Sequence, residues 1–180
     1  MNLAHVPVMT QEVLSGLNLR NGGTYIDGTF GRGGYTKAIL DSAKTRVFGI
    51  DRDPTAITFG SELIDKYDGR LTLLQGRFGN IATIMAKQGI NHVDGVMFDL
   101  GVSSPQIDDP DRGFSFRLDG PLDMRMESEG ATAADFINEA PEEEIADVIF
   151  QYGDERYSRR IARGIIAARK INPILSTFQL

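Results

Sequence analysis

The chain has 180 residues, 41% hydrophobic and 24% charged, which suits one domain with a small insertion and allows a real core. It has no cysteine and only two histidines, His5 and His92, which excludes disulfides, thiolate metal sites, Cys nucleophiles and a multi-His zinc centre. A net charge of −6 argues against non-specific coating of nucleic acid, and no apolar run of about 18 residues is present for a membrane span.

Met1 to Leu19 has neither the basic start and apolar block of a secretory signal nor the arginines of a transit peptide; with the missing cysteines this fits a reducing, cytoplasmic compartment. Thr24 to Asp27 reads as a strand ending in the glycine cluster Gly28 to Gly34, with a short helix from Tyr35 to Ala43. Arg46 to Ile50 is the next strand and closes on Asp51. Asp53-Pro54 is an N-cap followed by proline at the first helical position, opening a helix to about Tyr67. Asp68-Gly69 marks a turn, Leu71 to Gln75 a third strand, and Asn80 the cap of a helix that stops at Gly89. Val93 to Leu100 is expected as a fourth strand, with Val96-Met97-Phe98 buried on both faces. This β/α alternation predicts a parallel α/β sheet.

From Gly101 to Met126 periodicity is lost. The segment carries Ile107, Phe114, Phe116, Leu118, Leu122 and Met124, too much apolar material for a solvated linker, so an ordered covering loop is expected. Helices are then expected over Ala131 to Asn138, from Pro141 to Gly153 with Glu142, Glu143 and Glu144 in the first turn, and from about Glu155 to Lys170. In the last, Tyr157, Ile161, Ile165 and Ala168 recur at helical spacing and should face a core. Its Arg156, Arg159, Arg160, Arg163, Arg169 and Lys170 form the one basic cluster, either a solvated face paired with carboxylates or a contact for RNA phosphates. Ser176 to Leu180 reads as the start of a further helix.

The glycine loop lies where open α/β sheets bind nucleotide-like ligands, with Asp51 at the next strand end suited to a ribose diol. It lacks a Gly-Lys-Ser/Thr ending, and Gly28, Gly31 and Gly33 give G-x-x-G-x-G rather than the dinucleotide spacing. Asp27 would oppose a pyrophosphate and suits an ammonium group. A ligand with a ribose, a cationic end and no phosphate is S-adenosylmethionine; NAD is the weaker alternative. Without Cys, methylation at pyrimidine C5 through a covalent adduct is excluded. Transfer to an exocyclic amine is permitted, with a strand-end carboxylate such as Asp99 and nearby carbonyls as proton acceptors.

Several stretches are more specific than this. His5-Val6-Pro7-Val8, the Asp27 to Tyr35 loop, Asp51-Arg52-Asp53-Pro54, Asp99-Leu100-Gly101-Val102-Ser103-Ser104-Pro105-Gln106, Arg112-Gly113-Phe114-Ser115-Phe116 and Gly120-Pro121-Leu122-Asp123-Met124-Arg125-Met126 resemble the RsmH (MraW) family. So do Tyr152-Gly153-Asp154-Glu155-Arg156 and Arg160-Ile161-Ala162. The resemblance implies an α/β, Rossmann-like class I methyltransferase sheet, of which the first four strands are present, with a helical insertion domain after the fourth strand. It also implies S-adenosylmethionine-dependent methylation of the N4 amine of a cytidine in 16S ribosomal RNA of the small ribosomal subunit.

Carried over by position, the resemblance implies ligand contacts at Gly33, Gly34, Tyr35, Asp51, Phe78, Asp99 and Gln106. Asp99 is also the catalytic candidate. Tyr35 stands where many family members have His. Phe78 either packs against adenine or belongs to the core, and Gln106 either meets the ligand or bonds its own loop. The expected organisation is a ligand-binding domain over 1–103 and a covering loop with helical substrate-recognition domain over 104–180. A homodimer is the one protein assembly entertained. Family members continue beyond Leu180 with the remaining strands and a Phe-His-Ser-Leu-Glu-Asp motif, so the expectation is a C-terminally truncated chain, marginal when isolated, with its fourth strand left as an edge. The rival function is an inert ligand-binding remnant or ribosome-assembly factor.

Overall fold

Apolar runs bounded by glycine and aspartate form four parallel strands, β1 (Thr24–Asp27), β2 (Arg46–Asp51), β3 (Leu71–Gln75) and β4 (Gly95–Met97), in the order β3-β2-β1-β4. They belong to the first of two units, 1–101 and 102–180, seen in the computed structural model, which describes residues 7–180. His5 and Val6 of the N-terminal motif therefore lie outside the described residues. The architecture is the Rossmann-like α/β arrangement expected, with helices following the sheet.

Alternation along the strands sends side chains to two faces. Tyr25, Val47, Leu71 and Met97 pack with α1 (Thr10–Leu17), α2 (Gly34–Ser42) and α3 (Pro54–Lys66). Ile26, Phe48 and Ile50 pack on the other face with α4 (Ile81–Lys87). Asp53 caps α3 as expected, its carboxylate accepting from the Thr55 N–H at 2.9 Å. Asn80 does not act as a side-chain cap. It ends a single 3₁₀ turn, Phe78–Asn80, that leads into α4, and its own backbone is already near-helical, which leaves no extended residue to cap from.

The fourth strand is shorter than the expected Val93 to Leu100, and it is buried on one face only. Met97 is in the core, whereas Val96 and Phe98 are 39% and 46% exposed. Among the described residues β4 pairs with β1 alone. Its outer edge and part of its α4 face thus lack the neighbours that bury a central strand.

In the second unit, α6 (Ala133–Glu139), α7 (Glu142–Gly153) and α8 (Ser158–Arg169) enclose Leu122, Ile137, Ile145, Ala162, Ile165 and Ile174. Thr132 and Asp135 form a reciprocal capping box at the start of α6. The irregular segment from Gly101 is ordered but not an apolar plug: Leu122 is buried, while Phe116 is 85% exposed and Ile107, Leu118 and Met124 are exposed. Polar contacts hold it. Asp123 takes Arg125 on both carboxylate oxygens (2.9 and 2.6 Å), which keeps its carboxyl below the usual range, and Arg112 donates to the Arg125 carbonyl. The expected helix start at Ser176 is a turn instead, with Ser176 bridged to Pro121 and Gln179 Oε1 accepting from the Leu175 and Ser176 amides.

The buried face of α8 also differs from expectation. Ser158, Ala162 and Ile165 face the core, whereas Tyr157, Ile161 and Ala168 are exposed. The apolar residues form two adjacent stripes, and the one with small side chains lets α7 approach. Arg169 follows the buried stripe and donates to the Ile137 and Ala140 carbonyls at 2.7 and 2.9 Å, closing the C-terminal end of α6.

Candidate functional site

The chain moves outward from β1 through β2 to β3, then returns to place β4 on the other side of β1. The carboxyl ends of β1 and β4 are therefore the switch point at which open α/β sheets bind ligands. Asp27 and the glycine loop emerge from β1 here, Asp51 ends β2, and Asp99 follows β4.

The loop is pinned from several sides. The Phe30 N–H donates to the Ile50 carbonyl (3.0 Å), the Gly31 N–H to Asp51 Oδ2 (2.7 Å) and the Gly33 N–H to the Phe30 carbonyl (2.7 Å). Gly31 and Gly33 take positive φ of 51° and 68°. The Phe30 ring, 2% exposed, enters a slot that exists because three positions carry no side chain. A Cβ on Gly33, Gly49 or Gly60 would come within 2.8, 2.6 or 2.6 Å of that ring. The sequence reading passed over Phe30, although glycines inside both β2 and α3 were the available signal.

Asp27 is fully buried beneath the loop. Its Oδ2 accepts from Thr36 Oγ1 at 2.7 Å and its Oδ1 from the Thr29 N–H at 3.2 Å. Burial nevertheless raises its pKa from 3.8 to about 6, with Asp51 adding repulsion. Asp51 uses both oxygens on backbone, Oδ1 accepting from the Asp53 N–H at 2.9 Å. Each oxygen retains a second lone pair.

Asp99 is exposed, and its N–H donates to Thr29 Oγ1 at 2.7 Å, tying β4 to the loop. The Tyr35 hydroxyl donates to the Val8 carbonyl at 2.5 Å and lies in reach of the Asp99 carboxylate; burial, then Asp99 and Asp27, push it above the usual phenol value. Tyr35 is therefore a buried side chain at the base of the site. Gly34 abuts the Pro7 ring, which would occupy the place of any Cβ there.

Phe78 is not core. It is 45% exposed and its ring lies 5.2 Å from that of Phe98, tilted by 56°. Phe98 in turn covers Gly28, where a Cβ would sit 2.7 Å from Cδ1 of the ring. This aromatic pair, of which sequence reasoning identified only Phe78, flanks the site on the α4 side. The structure thus brings Gly33, Gly34, Tyr35, Asp51 and Asp99 to one edge of the sheet with Phe78 beside them. Gln106 lies in the second unit, in α5 (Ser104–Asp108), 6% exposed, where its Oε1 accepts from the Ser103 N–H at 2.9 Å.

The donor set decides what this edge can hold. Asp27, Asp51 and Asp99 gather there, and Arg32 is turned over the Phe59 ring at 4.1 Å. The opposite, amino edge has a hollow of about 320 Å³ lined by Lys44, Arg46 and Arg70 with Gly22, Thr24, Thr45 and Gly69, and no carboxylate. A buried carboxylate beneath the glycine loop suits a cationic group and disfavours a pyrophosphate.

The MraW methylase family model matches residues 2–180. The chain is 56% identical to ribosomal RNA small subunit methyltransferase H of Rhodospirillum centenum, over 98% of this chain and 54% of that protein. It is 55% identical to the protein of the same name from Granulibacter bethesdensis, over 98% and 53%. It spans about half the length of the curated relatives it matches. Among solved structures, precorrin-6y C5,15-methyltransferase from Geobacter metallireducens is similar with a TM-score of 0.43 and 17% identity, covering 67% of this chain and 63% of that one. Among the described residues, no helix is long and apolar enough to cross a membrane.

Proposed function

Because the chain belongs to the MraW methylase family, we propose that its first unit carries the S-adenosylmethionine site of a methyltransferase acting on the N4 amine of a cytidine in 16S ribosomal RNA. The observation that supports this most directly is the acidic carboxyl edge, where Asp27, Asp51 and Asp99 converge on the glycine loop. When bound, the cofactor supplies a methyl group on a sulfonium sulfur.

The chain's own residues then divide the work. Gly33 and Gly34 would present backbone at the ligand, Asp51 would accept from the ribose hydroxyls and Phe78 would pack on the base. Asp27, buried beneath the loop, would attract the ammonium through its field rather than by contact. Asp99, exposed beside the glycine loop, would take the proton that the exocyclic amine sheds on methylation. The target base has to be turned out of its stack to reach this edge. Gln106 keeps the α5 turn in shape, and the second unit takes substrate recognition. A ribosomal substrate supports a cytoplasmic location.

Calorimetry with S-adenosylmethionine, followed by tritiated-methyl transfer to small subunits lacking the modification, tests the proposal. Binding with labelled RNA is expected; binding without label would identify an inert remnant or assembly factor instead. In a full-length relative, Asp99→Asn should slow single-turnover methylation by about 10²-fold or more. An unchanged rate would remove Asp99 from proton transfer.

A further inference from the structure

We propose that the turn joining α7 to α8 is a stacking platform for a single-stranded stretch of RNA. The proposal rests on the reading of the chain as an RNA methyltransferase, and it assigns a contact surface apart from the carboxyl-edge site. Three aromatic side chains lie exposed on the two sides of this turn: Phe150 at 57%, Tyr152 at 84% and Tyr157 at 46%. Ile161, one helical turn beyond Tyr157, is exposed on the same face of α8. The core of this unit does not use them, since α8 packs through Ser158, Ala162 and Ile165.

The same turn carries cations in stacking geometry. The guanidinium carbons of Arg156 and Arg160 lie 4.8 and 4.7 Å from the Tyr157 ring centroid, and Arg159 is exposed beside them. Among the described residues none of these three arginines sits in an ion pair, although acidic groups are close in sequence. Glu155 is occupied in accepting from the Tyr157 N–H at 2.7 Å. Farther along α8 the arginines are engaged, Arg163 with Glu142 at 3.7 Å and Arg169 with helix carbonyls. A solvated face balanced by carboxylates would show the first arginines paired as Arg163 is.

Phosphates are matched by the guanidinium groups, and unpaired bases by aromatic faces and guanidinium planes. In a duplex the bases are stacked already and offer no face to Tyr152 or Tyr157, so the platform selects single strands and is indifferent to sequence. In a chain of net charge −6, this attraction has to be local.

The test uses the full chain and fluorescence anisotropy with a short labelled oligouridylate and a duplex of equal length. Tyr152→Ala and Tyr157→Ala should each weaken single-strand binding about tenfold and duplex binding far less, with Tyr157→Phe close to wild type. Replacing Arg156, Arg159 and Arg160 together by Ala should lower the salt slope by about two. If only the arginine variant weakens binding, the surface is a plain electrostatic contact and the platform is wrong. If no variant changes affinity, or the wild type does not bind the single strand, the patch serves another partner, such as a protein, and the inference falls. Tyr152 is exposed enough that its variant carries the test even if Tyr157→Ala unfolds. S-adenosylmethionine binding, measured on the same samples, should be unchanged. Its absence in the wild type would refute the methyltransferase reading while leaving the RNA result in place.

Discussion

Replacing Asp27 by Asn separates what its carboxylate costs the fold from what it offers a ligand. In the folded chain Asp27 titrates at about 6, against 3.8 for the ordinary carboxyl. Between these values the folded state holds a proton that the unfolded state has released, so raising the pH destabilises the fold. The stability contribution of the protonated acid is fully present below 3.8 and is lost as pH rises through about 6. At about 1.36 kcal/mol per pH unit the loss is about 3 kcal/mol. Asn keeps the shape and an oxygen for the Thr29 N–H, and its amide can donate to Thr36 Oγ1. Urea unfolding followed by circular dichroism from pH 4 to 8 should therefore show Asp27→Asn gaining on the wild type as pH rises, by up to about 3 kcal/mol. The other carboxylates cancel in the difference. At neutral pH the same variant should bind S-adenosylmethionine about tenfold more weakly, having lost the attraction of a buried negative charge. A stability difference that stays flat across this pH range would refute the account of the buried charge.

Gly28→Ala should force the Phe98 ring away from the loop, costing about 1–3 kcal/mol in thermal unfolding and weakening ligand binding together; unchanged melting and binding would show that the ring moves freely. The Thr45 hydroxyl is buried with no partner, so Thr45→Val should be neutral or stabilise by about 1 kcal/mol, a melting shift of about 2–4 °C. Arg169→Met should cost about 1.5–3 kcal/mol in urea unfolding by leaving the Ile137 and Ala140 carbonyls without their charged donor.

Most of the first unit could be read before folding was considered. β1 and β3 have the expected bounds, β2 runs from Arg46 to the Asp51 on which it was expected to close, and the α3 cap falls on Asp53. Each combines an apolar run with glycine, aspartate or proline punctuation, which are local signals. β4 was misjudged because burial of Val96 and Phe98 depends on what lies beside the strand. The face of α8 was misjudged because periodicity weighs Ile161 and Tyr157 above Ser158 and Ala162, whereas close packing favours the smaller pair. In the site, the glycine loop and three aspartates were legible as strand-end chemistry. The Phe98 cover and the Phe30 slot were not, since both depend on residues distant in sequence meeting in space.

The slot has one more consequence. With Phe30 keyed between a strand and a helix, the nucleoside meets a mould already cast, and the ordering of the loop is settled during folding rather than at encounter. Association should accordingly be quick and free of slow rearrangement. A methyl group added at Gly60, on a helix that need never touch the ligand, would warp that mould from behind.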